Sequence, residues 1–120
     1  MILLDTNALV WILAGHKRAR PLLRGRERLY VSPVSMLELR FLDELGKVRL
    51  KSEIRFADDS RFAIDDPPAL ALFSAAFHLA WTRDPFDRLL VAHARLRRWR
   101  LATADTELLE RMGPTQTVEL

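Results

Sequence analysis

The chain has 120 residues, of which 49% are hydrophobic and 29% charged, a composition typical of a globular protein rather than a disordered or fibrous one. Its length fits one domain covering residues 1–120. The absence of cysteine excludes disulfides and thiolate catalysis, and because no apolar run reaches the ~20 residues of a membrane span, we expect a cytoplasmic protein with no membrane partner. The net charge of +3 is by itself a weak indication of a nucleic-acid partner.

Short apolar segments alternate along the chain with longer segments of helical periodicity. In chain order the patterns predict a strand at 2–4, helices at 8–14 and 19–23, a strand at 29–31, a helix at 34–45, a weaker helix at 52–60, a strand at 62–64, helices at 69–80 and 85–98, a strand at 101–103, a helix at 106–112 and a strand at 117–120. This alternation predicts an α/β fold, with a parallel sheet and helices on both of its faces.

Start and stop signals support the longer helices. Ser32-Pro33 and Asp84-Pro85 each place a capping residue before a proline at the first helical position. Pro67-Pro68 opens another helix, and Gly15 and Gly46 follow the ends of two more.

Asp5 comes directly after a predicted strand, and Asp105 closes another, two positions after its last residue. Both therefore lie at the carboxyl edge of the sheet, where ligands bind in folds of this class. The other interpretation is that each carboxylate caps the helix that follows, because Asp is a favoured N-cap residue. The residues alone leave both interpretations open.

Glu38 lies in the middle of an apolar stripe. Val34, Phe41, Leu42 and Leu45 are spaced from it so that they share one helical face. A carboxylate on such a face must be paired, protonated or bound to a cation, because an isolated buried charge is very costly. The alternative to a cation is a buried ion pair with one of the many arginines.

Asp84 and Asp87 bracket a Pro-Phe dipeptide at the start of a predicted helix. As N-cap and third helical residue they resemble the start of a capping box. Asp87 also shares a face with Leu90, Val91 and Ala94, so it points inward from the first turn. Both a structural and a functional role fit these two residues.

Taken together, these acidic residues point to a metal site. In a parallel α/β sheet their positions converge on one edge, where the carboxylates repel one another unless cations lie between them. Mg²⁺ and Mn²⁺ prefer such oxygen ligands, and two ions of this kind can activate water for phosphodiester cleavage. The three histidines, His16, His78 and His93, lack metal-ligand spacing and are interpreted as surface or hydrogen-bonded core residues.

Four segments in order resemble the PIN-domain ribonucleases, and most of all the VapC-type toxins of toxin–antitoxin pairs. The segments are 3–7 (LLDTN), 35–39 (SMLEL), 83–92 (RDPFDRLLVA) and 101–105 (LATAD). The resemblance covers essentially the whole chain as a single PIN domain. It implies a three-layer α/β/α sandwich with a five-stranded parallel sheet. It also implies an endoribonuclease that depends on Mg²⁺ or Mn²⁺ and is inhibited by a cognate antitoxin.

The resemblance also implies roles for individual residues. The acidic metal site and catalytic residues would be Asp5, Glu38, Asp87 and Asp105, with Asp84 as a less secure ligand. Two hydroxyl residues, Thr6 and Thr103, accompany the first and last acids and are expected to contact substrate. Asn7 departs from the family pattern, in which relatives often have His, so substrate contacts there are in doubt.

Basic residues form two clusters, at 17–28 and 95–100. We expect both to flank the acidic site and hold RNA phosphates, with Arg95, Arg97 and Arg98 as the contacts in the second; a solvated helix face is the plain alternative. Apolar residues of the early helices, including Trp11, Ile12 and Leu22–Leu23, are expected to serve a homodimer or the antitoxin.

Two other classes of function compete with this one. A haloacid-dehalogenase-like phosphatase requires a second Asp where this chain has Asn7, and a phospho-receiver requires a late Lys, whereas none follows Lys51. A PIN-like module that has lost catalysis and only binds RNA or a partner would lack a ligand, whereas all four acids are present. A metal titration would separate that module from the enzyme.

Overall fold

A computed structural model describes residues 1–49 and 55–120 of the chain. Its five strands form one sheet in the order β3-β2-β1-β4-β5, and every neighbouring pair is parallel. The strands are β1 (Ile2–Leu4), β2 (Leu29–Val31), β3 (Ala63–Ile64), β4 (Arg100–Thr103) and β5 (Thr117–Glu119). The helices are α1 (Thr6–Ala14), α2 (Arg20–Arg24), α3 (Pro33–Glu44), α4 (Ala69–Ala76), α5 (Pro85–Arg97) and α6 (Thr106–Met112), with short 3-10 turns at Lys17–Ala19 and Phe56–Asp58.

The alternation of side chains along β1 divides the core into two layers. Leu3 packs with residues of α4, α5 and α6 on one face of the sheet. Ile2 and Leu4 pack with residues of α1, α2 and α3 on the other. Helices therefore cover both faces, and the predicted three-layer α/β/α sandwich with a five-stranded parallel sheet is confirmed.

Local capping signals determine where most helices begin and end. Ser32 and Asp84 cap α3 and α5 with a proline in the first turn, and Pro68 precedes α4. Gly15 ends α1 in the left-handed conformation, at φ 69°, where the lack of a Cβ avoids a steric penalty. These boundaries agree with the predictions.

Two predicted helices differ from the structure. The helix predicted at 69–80 ends at Ala76, because the backbone then forms tight turns in which Leu79 N–H donates to Ala76 O at 3.2 Å. These turns return Leu79 to the core. Of the helix predicted at 52–60, residues 52–54 lie outside the described part, and the remainder forms only the 3-10 turn Phe56–Asp58.

Among the helices of the described segments, none combines the length and apolar character needed to cross a membrane.

Candidate active site

The central strands bring the acidic residues together at one edge of the sheet. β1 and β4 are direct neighbours, so the residues that follow them, Asp5 and Asp105, are adjacent. Helices α3 and α5 contribute the other two acids. The result is a small cavity of about 60 Å³ lined by Asp5, Thr6, Asn7, Glu38, Leu42, Asp87, Asp105 and Leu108.

Asp5 caps α1 and also lines this cavity, so capping the helix does not prevent the side chain from facing the site. Its Oδ1 accepts the Ala8 N–H at 2.7 Å at the start of α1. The side chain is only 5% exposed. Burial raises the pKa of Asp5, against the lowering effect of the hydrogen bonds from Thr103 and Ala8.

Asp105 repeats this arrangement at the start of α6. Its Oδ1 accepts the Leu108 N–H at 3.0 Å. Its own N–H donates to Thr103 Oγ1 at 3.0 Å, and the Thr103 hydroxyl in turn bonds Asp5. Thr103 is fully buried and is absent from the cavity lining. It therefore links two acids and does not occupy the substrate-contact position expected for it.

Glu38 enters the cavity from the second turn of α3. In the described part of the chain its carboxylate forms no ion pair with arginine, and its partner is instead the Thr6 hydroxyl, through a short hydrogen bond to Oε1. Phe41 and Leu45, which the apolar stripe placed beside it, are exposed. Glu38 is consequently half-buried at the cavity rather than enclosed in the core, and burial raises its pKa.

Asp87 has a strongly perturbed carboxyl group. Asp84 caps α5, accepting the N–H groups of Phe86 at 2.8 Å and Asp87 at 3.2 Å. This leaves the Asp87 side chain directed into the cavity. Burial first, and then the negative charges of Asp84, Glu38 and the two strand-end aspartates, raise the pKa of Asp87 to about 7. The carboxylates are thus close enough to oppose one another's ionisation.

Helix N-termini partly offset this repulsion. Asp5, Asp87 and Asp105 lie at the starts of α1, α5 and α6, where the helix dipole favours negative charge. The fold therefore tolerates several carboxylates in one cavity without a balancing arginine.

The donor set of the cavity fits a hard divalent cation. Within residues 1–49 and 55–120, no three acidic or histidine side chains are arranged to bind one ion jointly. Mg²⁺, however, usually keeps several waters and is bound by one or two carboxylates, so it does not require such a cluster. Oxygen-only ligands around a small cavity are the chemistry that Mg²⁺ and Mn²⁺ prefer.

The Arg95–Arg98 segment does not reach the cavity. α5 begins at the acidic site and runs away from it, so Arg95, Arg97 and Arg98 lie about 12–17 Å along the helix axis from Asp87 at ~1.5 Å per residue. Arg97 Nε donates to Asp65 Oδ2 at 2.8 Å. The flanking arrangement expected for these three residues is therefore not the one in the structure.

The last residue of the other basic segment, 17–28, lies away from the acids. The segment connects the end of α1 to the start of β2, and the Arg28 carbonyl accepts the Ile2 N–H at 3.0 Å at the amino end of β1. The cavity lies at the carboxyl end of the same strand. Arg28 is thus at the opposite edge of the sheet, whereas the Arg18 guanidinium donates to Leu120 O at 2.7 Å, next to the carboxyl end of β5.

A Ser–His–Asp chain of hydrogen bonds lies in the core between α5 and the ends of β2 and β3. His93 Nδ1 is 2.9 Å from Ser32 Oγ, and Nε2 is 2.7 Å from Asp65 Oδ2. Ser32 and His93 are fully buried, so substrate cannot reach them. His93 is the hydrogen-bonded core residue that the sequence suggested, and burial lowers its pKa despite the contact with Asp65.

The apolar residues expected to form a docking surface divide into two groups, since Leu23 is 41% exposed and Trp11 is half-buried, whereas the other two are buried. Ile12 is 1% and Leu22 5% exposed, so the expectation that they form a docking surface is wrong: both belong to the hydrophobic core. Another exposed apolar face lies on α3 and α4. It consists of Leu37, Leu70, Phe73 and Phe77, of which Leu70 is 81% and Phe77 71% exposed.

The family of the chain follows from a comparison with known domains. A family model described as the PIN domain matches residues 2–113. The chain belongs to the PIN-domain family. Its fold and the order of its acidic residues agree with the resemblance noted from the four sequence segments.

Individual relatives of this PIN domain resemble it over nearly their full length. Ribonuclease VapC22 of Mycobacterium tuberculosis is 28% identical over 122 residues, covering 94% of this chain and 93% of that protein. A toxin–antitoxin complex from Klebsiella pneumoniae superposes with a TM-score of 0.71 at 21% identity, covering 100% of both chains. VapBC2 from Rickettsia felis, bound to a DNA fragment from their promoter, gives 0.69 at 20% identity, covering 100% of this chain and 99% of that one. At these identities the two solved structures establish the fold.

Sequence reasoning missed Ser35, a buried residue that contacts a side chain of the cavity. It lies behind the cavity, 3.1 Å from Thr6 through their hydroxyl oxygens. Its position three residues before Glu38 places both on one side of α3. That spacing was the available signal, but it did not reveal the contact with Thr6, which is distant in sequence.

Proposed function

We propose that the chain is an endoribonuclease that depends on Mg²⁺ or Mn²⁺ and acts as the toxin of a toxin–antitoxin pair in the cytoplasm. The observation that carries this proposal is the cavity into which a PIN fold brings Asp5, Glu38, Asp87 and Asp105. The similarity to Ribonuclease VapC22 supports the reaction class. The proposal treats residues 1–120 as a single PIN domain.

In this proposal Asp5, Glu38 and Asp87 hold the ions, in part through bound water, and Asp105 is a further or water-mediated ligand. Asp84 lies at the edge of the set. When bound, Mg²⁺ or Mn²⁺ would activate a water molecule and stabilise the leaving oxygen of the phosphodiester. Asp5 and Asp105 are kept in place by the N-termini of α1 and α6. Water is the nucleophile, and no covalent bond forms between enzyme and RNA.

A binding module without catalysis is the second candidate. It is favoured by the lack, among the described residues, of a ready three-ligand cluster for one ion. The two candidates differ in their response to metal, because a module with a degenerate site would bind RNA equally well with and without Mn²⁺.

The proposed partners are RNA, a cognate antitoxin protein and a second copy of the chain. The solved relatives described above are toxin–antitoxin assemblies, which supports the antitoxin. For the homodimer we propose the exposed apolar face on α3 and α4. Leu70, Phe73 and Phe77 share one side of α4 by their spacing, and exposed apolar patches of this kind mark interaction sites.

Cleavage of RNA by the purified protein tests the proposed reaction. We expect cleavage with Mg²⁺ or Mn²⁺, none with excess EDTA, and recovery when the metal is restored. Asp87→Asn should abolish cleavage, because a neutral amide is a poor ligand for a hard cation. Glu107→Gln, at an exposed acid in the first turn of α6, is the matched control and should cleave normally. Undiminished cleavage in EDTA would contradict the proposal.

A further inference from the structure

Two buried hydroxyl groups lie behind Glu38 and outside the acidic set that the proposed function uses. Thr6 begins α1 and Ser35 lies in the first turn of α3, and both are buried. Thr6 Oγ1 is 3.1 Å from Ser35 Oγ and forms the short hydrogen bond to Glu38 Oε1. The three groups form a continuous line from the core to the cavity.

The number of available protons determines which group donates in each of these two hydrogen bonds. A hydroxyl group carries one proton, and an ionised carboxylate can only accept. Thr6 therefore donates to Glu38, where the bond is assisted by charge and is the stronger of the two. Having donated its one proton, the Thr6 oxygen can only accept a further hydrogen bond. The proton between Thr6 and Ser35 therefore comes from Ser35. Ser35 thereby keeps the Thr6 hydroxyl directed at the carboxylate.

Glu38 has little else to hold it in place. Its side chain is long and half-buried, and within the described residues no arginine or lysine pairs with it. The neighbouring Leu37 and Phe41 are exposed, so the carboxylate could also turn outward to water. Thr6 is the side-chain partner that keeps it at the cavity.

Asp5, another acid of the cavity, is held in a similar way. The Thr103 hydroxyl accepts the N–H of Asp105 and is close enough to the Asp5 carboxylate to lower its pKa. Each of the two acids is thus supported by a buried threonine.

We infer that Thr6 and Ser35 are positioning residues that anchor Glu38 Oε1 and leave Oε2 for a divalent cation. This inference rests on the proposed function, because it concerns the same metal site. Partners of metal ligands typically contribute about 10–100-fold to metal affinity.

Calorimetric titration with Mn²⁺, without RNA, tests the inference. We expect Thr6→Val to weaken Mn²⁺ binding about 10–100-fold, Thr6→Ser to restore it, and Ser35→Ala to give an intermediate loss. Thr117→Val is the matched control, since Thr117 is another buried threonine whose hydroxyl donates to a backbone carbonyl, Gly113 O, at 2.9 Å. It should reduce stability and leave Mn²⁺ affinity unchanged.

A double-mutant cycle establishes whether Thr6 acts through Glu38. In a Glu38→Ala background, Thr6→Val should change Mn²⁺ affinity by no more than about twofold, because the group that it positions is gone. Wild-type affinity in Thr6→Val overturns the inference while leaving the proposed function intact. If Thr6→Val does not fold, wild-type affinity in Ser35→Ala has the same meaning. A wild-type protein that binds no Mn²⁺ overturns the proposed function itself.

Discussion

Asp87→Asn should stabilise the metal-free protein at neutral pH. Burial and neighbouring carboxylates raise the pKa of Asp87 from 3.8 to about 7 in the folded state. The folded protein therefore binds a proton more tightly than the unfolded chain, and stability is lost as pH rises from about 4 through about 7. Asn has no charge to lose, so the advantage of the variant should be absent near pH 4 and complete above pH 7.

The size of this effect follows from the same values. Since one pKa unit corresponds to about 1.4 kcal/mol, the full rise would amount to about 4 kcal/mol. Asp87 is only half-buried, and water screens its interactions, so we expect about 1–2 kcal/mol.

Urea denaturation with EDTA, at a series of pH values between 4.5 and 8, measures this difference. Glu107→Gln is the control, because it removes a carboxylate from a first helical turn outside the cavity, and it should change the free energy of unfolding little at any pH. Adding Mn²⁺ should reverse the order of stability, since the metal stabilises only a folded state that binds it. The reasoning would be refuted by an Asp87→Asn protein no more stable than wild type at pH 8 in EDTA.

Three further predictions concern the metal site and the surfaces. Asp5→Asn should remain folded, because Asn caps helices as well as Asp does, yet it should lose most of the rise in melting temperature that Mn²⁺ gives wild type; a full rise would contradict a ligand role. Because Arg95 and Arg98 lie away from the cavity along α5, they can contact only RNA phosphates beyond the cleaved bond. Reversing both charges should therefore weaken RNA binding and flatten its dependence on salt in filter-binding assays, and an unchanged salt slope would assign both residues to a solvated face. Leu70→Ser combined with Phe77→Ser should shift a homodimer to monomer in light scattering at equal protein concentration, and an unchanged mass would exclude this face.

The parts of the fold and of the site that could be predicted are those determined by residues close together in the sequence. Strand ends and caps depend on neighbouring residues, as when Asp5 caps α1 or Asp84 caps α5, so the sequence alone indicated them. The partner of Glu38 could not be found in that way. Thr6 is 32 residues distant, and the side-chain partner that the sequence offered was one of the many arginines, as the alternative to a cation.

Long-range contacts also explain the misplaced basic residues. The charge cluster at the end of α5 is visible in the sequence, but the contact between Arg97 and Asp65 spans 32 residues. The direction in which α5 leaves the site depends on the sheet topology. Composition and spacing could therefore identify the cluster but not the end of the molecule on which it lies.

His93 should give the protein a second, opposite dependence on pH. Burial lowers its pKa in the folded state below the ordinary 6.5, so the unfolded chain binds a proton more readily. Stability from this group is present above pH 6.5 and is lost as pH falls below it. Asp87 acts in the other direction over an overlapping range, so the two should partly cancel in wild-type protein without metal.

Variants can separate these two titrations. Asp87→Asn removes the opposing group, and we expect it to lose stability on acidification below pH 6 more steeply than wild type. Adding His93→Gln should remove that slope, because glutamine carries no titrating proton, while lowering stability at every pH through poorer packing between Ser32 and Asp65. The comparison therefore rests on slopes of unfolding free energy against pH in EDTA and not on absolute values. If the double variant kept the acid slope of Asp87→Asn, the buried histidine would not be its source.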